Sequence, residues 1–373
     1  MTSRAFTWIS PYSPDDSQGG WKAMQFHLLR ALEQRLGPAT RIAPVDVAEE
    51  FIGKWTSRFQ KQLHIPRRYV YYSESRLSAF ARAVESKLPT SRSQPVIFFG
   101  ALPFVKCRPS QHYFIYTDGA FFIHYWEYNA DHSHFQKDIK RICAAEADFM
   151  RRAASVWCSS QWVADRIAKE YRIPSERVRF VGTGPSDVPT PIEPIRYENF
   201  LVMVAADFER KQGRVAVKAV AAARNQGAEI GIKFIGAKPP PDIMEQPFVE
   251  WCGWLDLTKG PDRTRFAEIM SRACAHILPS KSDLTPLAIL EAATYAKATI
   301  AKAVGGIPEM IRNGETGLLF APEVSPADIA RQLVILLRDP AALQCMGQAA
   351  RRWQAQEWSW PSVAAKIGPM LTL

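Results

Sequence analysis

The sequence has no apolar run that approaches the roughly 18 to 20 consecutive residues a membrane-spanning helix needs. Its opening residues, with Arg4 ahead of Pro11-Tyr12-Ser13-Pro14, also lack the apolar core of a secretory leader. Both absences argue against an integral membrane protein and give the expectation of a cytoplasmic chain. The six cysteines, Cys107, Cys143, Cys158, Cys252, Cys274 and Cys345, are scattered singly. Without a Cys-x-x-Cys pair, neither a zinc site nor a dithiol centre is indicated, and most are expected to be small buried apolar residues. No Asp-x-Asp triplet that would hold a divalent ion beside a diphosphate occurs, so neither a metal nor another cofactor is expected. No internal repeat or low-complexity segment stands out.

What is present is a globular composition, 47% hydrophobic and 23% charged, over 373 residues. That length is too great for one ordinary core and points to about two domains. A net charge of +10 favours an anionic partner: nucleic acid, a membrane face or a phosphorylated small molecule. The basic residues follow no nucleic-acid motif, so that class ranks last. From Arg58 to Tyr72 basic and aromatic residues mix: Arg58, Phe59, Lys61, His64, Arg67, Arg68, Tyr69, Tyr71 and Tyr72. The first reading is a solvated basic face; the second is a loop facing an acceptor or a membrane surface.

Short β-like runs alternate with helical spacing, the pattern of parallel sheets covered by helices. The first half predicts strands at 6–10, 96–99, 113–117, 156–159 and 178–181, with helices at 21–36, 75–88, 134–154 and 161–171. After Val181, the breaker-rich stretch Gly182-Thr183-Gly184-Pro185-Ser186-Asp187-Val188-Pro189-Thr190-Pro191 reads as a linker. A second series follows, with strands at 200–205, 230–235, 249–252, 276–279, 299–303 and 317–320. Its helices are expected at 213–225, 263–273, 286–296, 326–337 and 341–356. The expected architecture is α/β, two doubly wound Rossmann-like domains facing across a cleft, spanning 1–190 and 191–357, with 358–373 as a closing segment. Ligands of such sheets sit at the carboxyl ends of the strands.

The most informative stretch runs from His276 to Ala292. A strand ends at Pro279, a polar loop carries Asp283, and Thr285-Pro286 resembles an N-cap and first-turn proline opening a helix. The amides of Leu287 and Ala288, with the positive end of the helix dipole, then form a pyrophosphate site. Glu291 lies about one and a half turns into that helix, where a carboxylate can accept both hydroxyls of a ribose. Asp283 is placed to meet hydroxyls of a transferred sugar. Read singly, Asp283 is equally a loop cap and Glu291 equally a solvated helix residue.

In order and spacing, Asp283-x7-Glu291, Gly305-Gly306-Ile307-Pro308-Glu309 and Asn313-Gly314-Glu315-Thr316-Gly317-Leu318-Leu319-Phe320 resemble the donor-binding region of retaining GT-B glycosyltransferases. The family includes sucrose-phosphate synthase and bacterial lipopolysaccharide glucosyltransferases. The resemblance implies that Glu291 binds ribose and that Asp283, Asp where the family has Glu, contacts the donor hexose. Leu284-Thr285-Pro286 stands where the family has Gly-Phe-Gly. Asp207-Phe208-Glu209-Arg210-Lys211 is similar to the family's Asp-Phe-x-Arg-Lys-Gly, with Gln212 in place of Gly. There Arg210 and Lys211 would neutralise the donor diphosphate in place of a metal, since fixed cations stabilise the charge that a leaving diphosphate gains. Gly19-Gly20 matches a family glycine loop that approaches diphosphate and acceptor, and Trp358-Ser359-Trp360-Pro361 resembles the segment whose last helix returns to the N-terminal domain.

In the N-terminal half, Tyr116-Thr117-Asp118-Gly119-Ala120 ends a strand as a Thr-Asp-Ala segment does in some members. Asp118 is the expected N-domain site residue, with His124 behind it; a turn aspartate and a buried hydrogen-bonded histidine are the plain alternatives. The resemblance thus implies a retaining, metal-independent hexosyltransferase. Its donor would be a nucleotide sugar, UDP-sugar favoured over GDP-sugar, and its acceptor a glycan, lipid-linked or small-molecule hydroxyl. An epimerase or hydrolase on the same fold, or a non-catalytic nucleotide-sugar binder, are the rival readings.

Overall fold

The computed structural model describes residues 5–17, 19–47, 69–128 and 134–371; residues 58–68 of the basic and aromatic stretch lie outside these. The chain divides into two compact units. The first comprises Met1–Ser17, Gln25–Gly182 and Val363–Leu373, and the second Gln18–Met24 and Thr183–Ser362.

The first unit is built on a six-stranded sheet. Its strands are β1 (Phe6–Ile9), β2 (Ala39–Ile42), β3 (Val96–Phe99), β4 (Tyr113–Thr117), β5 (Ser155–Cys158) and β6 (Val178–Phe180), in the order β2-β1-β3-β4-β5-β6. Every pairing is parallel. β1, β3, β4 and β5 are buried along their whole length, as strands covered on both faces must be, and so they read as continuous apolar runs. The connecting helices are α1 (Gly20–Leu36), α2 (Glu74–Glu85), α3 (Phe121–Tyr128), α4 (Gln136–Arg152) and α5 (Gln161–Tyr171).

The second unit repeats the plan with β7 (Glu198–Ala205), β8 (Gly231–Gly236), β9 (Val249–Trp251), β10 (Ala273–Leu278), β11 (Thr299–Lys302) and β12 (Gly317–Phe320), ordered β12-β11-β10-β7-β8-β9. Its longer helices are α6 (Gly213–Asn225), α7 (Gly260–Arg272), α8 (Leu287–Thr294), α9 (Pro326–Leu337) and α10 (Pro340–Glu357); α11 (Trp360–Ile367) follows. Along β7 the side chains alternate between two cores. Leu201 and Met203 pack with Ala216 and Val220 of α6 and Leu333 of α9, whereas Phe200 and Val202 pack with Phe266 and Met270 of α7 and Tyr295. This period of two is what covers both sheet faces.

The expected strand pattern holds, with three differences. β2, whose Thr40 and Arg41 are partly exposed at the sheet edge, carried no apolar run to signal it. α3, reading FFIHYWEY, is short and mostly aromatic, with His124 and Glu127 its only markedly polar residues. β10 starts at Ala273 instead of His276: the Ala273 amide still closes α7 onto Ile269 while its residue already pairs with Glu198, leaving no loop between helix and strand.

The stretch 183–190, assigned to the first domain from sequence, packs with the second unit. Trp360 Nε1 donates to the Pro185 carbonyl at 2.8 Å, Arg263 Nη1 to the Asp187 carbonyl at 3.1 Å, and Tyr295 Oη to the Pro189 carbonyl at 2.5 Å. Those bonds satisfy main-chain groups that a proline-rich strand-like segment cannot pair internally.

Candidate functional site

In the second unit, the loops leaving β7, β10 and β11 meet at the carboxyl ends of the strands. After Ala205 the chain turns tightly: Asp207 Oδ1 accepts the Arg210 amide at 3.0 Å and the Asp207 carbonyl accepts the Lys211 amide at 3.2 Å. Gln212, the residue that precedes α6, has φ 55° and ψ 48°, the left-handed region that glycine occupies without strain. The side chain compensates, because Gln212 Oε1 accepts a hydrogen bond from Lys302 Nζ at 2.7 Å, from the end of β11. Burial lowers the pKa of Lys302.

The β10 loop is stitched to this turn. The Lys281 amide donates to the Arg210 carbonyl at 2.9 Å, and Arg210 Nη1 donates to the Ser282 carbonyl at 3.0 Å. Lys211 Nζ donates to Asp283 Oδ2, which also accepts Ser280 Oγ at 2.8 Å, while Arg210 Nη1 stands 3.5 Å from Asp283 Oδ1. Lys211 and Asp283 are only 7% and 5% exposed. Burial depresses the Lys211 pKa, the Asp283 charge opposes that, and Arg210 adds to the depression. Both oxygens of Asp283, the residue expected to meet sugar hydroxyls, face the two cations and a serine. The reason is electrostatic: an ammonium buried this deeply needs a counter-charge beside it.

Gly305 backs the same aspartate. Its φ is 55°, and a Cβ there would collide with the Asp283 carbonyl oxygen, which also accepts the Gly306 amide at 3.3 Å. A glycine at 305 is therefore a packing requirement of the β10 loop.

α8 begins at Leu287, with Pro286 as the extended flanking residue, one position later than the Thr285-Pro286 reading placed it. Thr285, just before Pro286, is half-buried. Leu287 and Ala288 occupy the first turn, where amides have no intrahelical partner and the dipole is positive. On the same helix Glu291 is half-buried and accepts a hydrogen bond from Ser186 Oγ. Burial raises its pKa, against which the Ser186 hydrogen bond and the Lys211 charge both act. Behind the cluster, His276 is fully buried, its Nδ1 3.2 Å from Thr299 Oγ1, and burial followed by the Lys211 charge pushes its pKa down to about 3.

In the first unit, Asp118 follows β4, and its Oδ1 lies 3.4 Å from His124 Nε2 on α3. Burial pulls the His124 pKa down, but the hydrogen bond and charge of Asp118, helped by Glu146, raise it overall. Glu146, from α4, accepts the Phe121 amide at the start of α3 at 2.7 Å and Tyr171 Oη at 2.5 Å; burial pushes its pKa up to about 7. Gly19 and Gly20, which open α1 and are grouped with the second unit, have φ of 53° and 52°.

The structure thus brings together Arg210, Lys211 and Asp283, with Glu291 within electrostatic reach of Lys211, and pairs Asp118 with His124. Sequence reasoning missed Ser186, Ser280, Lys302 and Glu146. Only Glu146 had a signal: it continues the apolar stripe Ile139, Ile142, Phe149, Met150 of α4, where a carboxylate must be buried. Among the described residues, no group of three or more His, Cys, Asp or Glu could hold a metal, and no helix is long and apolar enough to cross a membrane.

Residues 198–339, within the second unit, match the family described as glycosyl transferases group 1. Glycogen synthase of Mycobacterium tuberculosis H37Rv is 35% identical over 103 residues, covering 28% of this chain and 25% of that protein. The chain therefore spans about a quarter of the length of this curated relative. Among solved structures, sucrose-phosphate synthase from Thermosynechococcus elongatus superposes with a TM-score of 0.69 at 15% identity over 98% of both chains. The HepE protein of Anabaena, solved in complex with UDP, gives 0.62 at 12% identity over 98% of this chain and 99% of its own. At those identities the likeness is one of fold, and the fold is the GT-B type, with two Rossmann-like α/β units.

Proposed function

We propose that the chain is a retaining, metal-independent glycosyltransferase. It would move a hexosyl unit from a nucleoside diphosphate sugar, UDP-sugar before GDP-sugar, to a hydroxyl of a glycan, a lipid-linked sugar or a small acceptor. The observation that carries the reading is the Arg210–Lys211–Asp283 cluster at the strand ends beside the first turn of α8. Arg210 and Lys211 share Asp283, with Asp207 3.6 Å from Arg210 Nε on the more exposed side, and α8 adds its dipole and the Leu287 and Ala288 amides to these two cations. Such a site stabilises a departing diphosphate more than a bound one, because charge grows on the leaving oxygen as the anomeric bond loosens. Glu291 takes the ribose hydroxyls, and Thr285 lines the approach.

Besides the donor-hexose contact that the family likeness implies, Asp283 has a second duty in this scheme. By facing Lys211 it keeps a buried ammonium protonated, so the donor meets a charged lysine. Arg210 and Lys211 supply the charge that a divalent ion supplies elsewhere. Retention through front-face attack on an oxocarbenium-like centre follows from the family likeness, as do the approach of Gly19 and Gly20 to the diphosphate and of Asp118 to the transferred sugar. The relative named a glycogen synthase and the neighbour solved with UDP support a place in polysaccharide assembly and a uridine donor. A cytoplasmic location, at the inner membrane face for a lipid-linked acceptor, goes with this reading.

Isothermal titration with UDP, GDP and ADP in the presence of EDTA tests it, repeated on Glu291→Ala and Lys211→Ala. Selective binding of one diphosphate that both substitutions abolish supports the site and names the base for an acceptor screen. Binding to none of the three overturns the reading. Binding of the nucleotide sugar without turnover across an acceptor panel moves the non-catalytic reading forward.

A further inference from the structure

The Ser186–Glu291 hydrogen bond joins residues 105 positions apart, across the edge of the site just described. We propose that Ser186 is a surrogate for the ribose: its hydroxyl occupies the carboxylate oxygen that a bound nucleoside diphosphate needs, and nucleotide binding exchanges one alcohol for another. This rests on the nucleotide-site reading above and extends it to a residue that sets affinity.

The chemistry of the exchange is like for like. A serine hydroxyl and a ribose hydroxyl are both aliphatic alcohols donating to a carboxylate, and a ribose seeks both carboxylate oxygens at once. Glu291 Oε1 is already engaged by Ser186. A half-buried carboxylate stripped of its donor pays the desolvation of an unmade bond, so the empty site is satisfied only with Ser186 in place.

The position of Ser186 is built from both sides. One residue before it, the Pro185 carbonyl accepts Trp360 Nε1 at 2.8 Å. One residue after it, Arg263 Nη1 donates to both the carbonyl and Oδ2 of Asp187 at 3.1 Å. The Ser186 carbonyl accepts the Val188 amide at 2.8 Å, and Tyr295 Oη, just past the end of α8, holds the Pro189 carbonyl. The segment is thus anchored to α7, to the C-terminal end of α8 and to the start of α11, and Ser186 is held toward Glu291 by its neighbours.

Two consequences follow. The free energy of nucleotide binding at Glu291 is a difference between two alcohol–carboxylate contacts, so the wild-type protein binds its nucleotide below the affinity that Glu291 alone would give. In release the serine returns as the ribose leaves, and the product departs without exposing a bare buried charge.

The test uses the full chain, titrated at pH 8 with UDP and with 2′,3′-dideoxy-UDP, and with the GDP and ADP pairs alongside. Wild type, Ser186→Ala and Glu291→Gln are compared, with thermal melts confirming that each variant is folded. Ser186→Ala is expected to bind the ribonucleotide about three- to tenfold tighter, the loss of one competing hydrogen bond, while the dideoxy analogue is unchanged. Equal or weaker ribonucleotide binding by Ser186→Ala, with the wild-type preference for ribose intact and lost in Glu291→Gln, overturns the surrogate role and leaves the nucleotide site standing. A wild type that binds no nucleotide, or that does not distinguish ribose from dideoxyribose, overturns the site and the surrogate together.

Discussion

Lys211 and Asp283 form a buried pair joining the loops after β7 and β10, and Ser280 closes the remaining side of the same carboxylate oxygen. Burial works to discharge the lysine and the aspartate works to keep it charged. The sign of the pH effect follows. Removing the negative charge in Asp283→Asn lowers the Lys211 pKa further, so the variant keeps a cationic site at low pH and loses it as pH rises. The ratio of nucleotide dissociation constants at pH 9 and pH 6, by titration, is expected to be about tenfold larger in Asp283→Asn than in wild type, one unit of pKa being one factor of ten. Equal ratios would show that Lys211 stays charged without its partner.

Gln212 and Lys302 are coupled by the hydrogen bond that offsets a left-handed backbone. Gln212→Gly removes the strain but leaves a buried ammonium without its acceptor, and is expected to destabilise the protein by about 1–2 kcal/mol. Lys302→Met on that background should recover most of the loss. A double-mutant cycle by denaturant unfolding reads the coupling, about 1 kcal/mol or more; additive effects would mean that the contact contributes nothing.

Gly305 and Gly314 form an internal control. Both have positive φ, but a Cβ at Gly305 strikes the Asp283 carbonyl whereas the space around Gly314 is open. Gly314→Ala should cost about 1 kcal/mol of backbone strain, Gly305→Ala clearly more, about 2–4 kcal/mol, because the Asp283 loop must move as well. Thermal unfolding ranks the two, and only Gly305→Ala should also weaken nucleotide binding.

Lys297 is fully buried, donating to the Arg196 and Ser271 carbonyls at 2.6 and 3.1 Å with its Nζ 4.2 Å from the centre of the Tyr197 ring. Burial brings its pKa down to about 7. The unfolded chain therefore binds the extra proton between about pH 7 and the free-lysine value near 10.4, and the lysine's contribution to stability grows as pH rises through that window. Below about pH 7 the folded state carries the penalty of a buried charge in full. The stability difference between wild type and Lys297→Met, measured from pH 7 to 9, should change in favour of wild type by up to about 1.4 kcal/mol per pH unit. A flat difference would show that the carbonyls hold the ammonium charged throughout.

How legible these features were depends on the range of the interactions that make them. β3, β4 and α6 could be read to the residue because wholly apolar or regularly amphipathic runs bounded by breakers announce themselves locally. The cations Arg210 and Lys211 and the acids Asp283 and Glu291 were found by their order along the chain. What Asp283 faces was not legible, because the pair is made across 72 residues and depends on how deeply Lys211 is buried. Ser186 gave no signal at all within its linker, since its partner is set by tertiary structure. β2 and α3 failed for opposite local reasons, one too polar to read as a strand and the other too aromatic to show a face.

The first unit is assembled from both ends of the sequence. Val363, Ala364 and Ile367 of α11, all buried, belong with residues that precede them by more than 180 positions, on the far side of the entire second unit. During synthesis the second unit has all of its own sequence to hand once Ser362 has emerged, whereas the first stays short of core side chains until the rest of α11 has followed. Order of synthesis and order of completion are therefore reversed for the two halves of this protein.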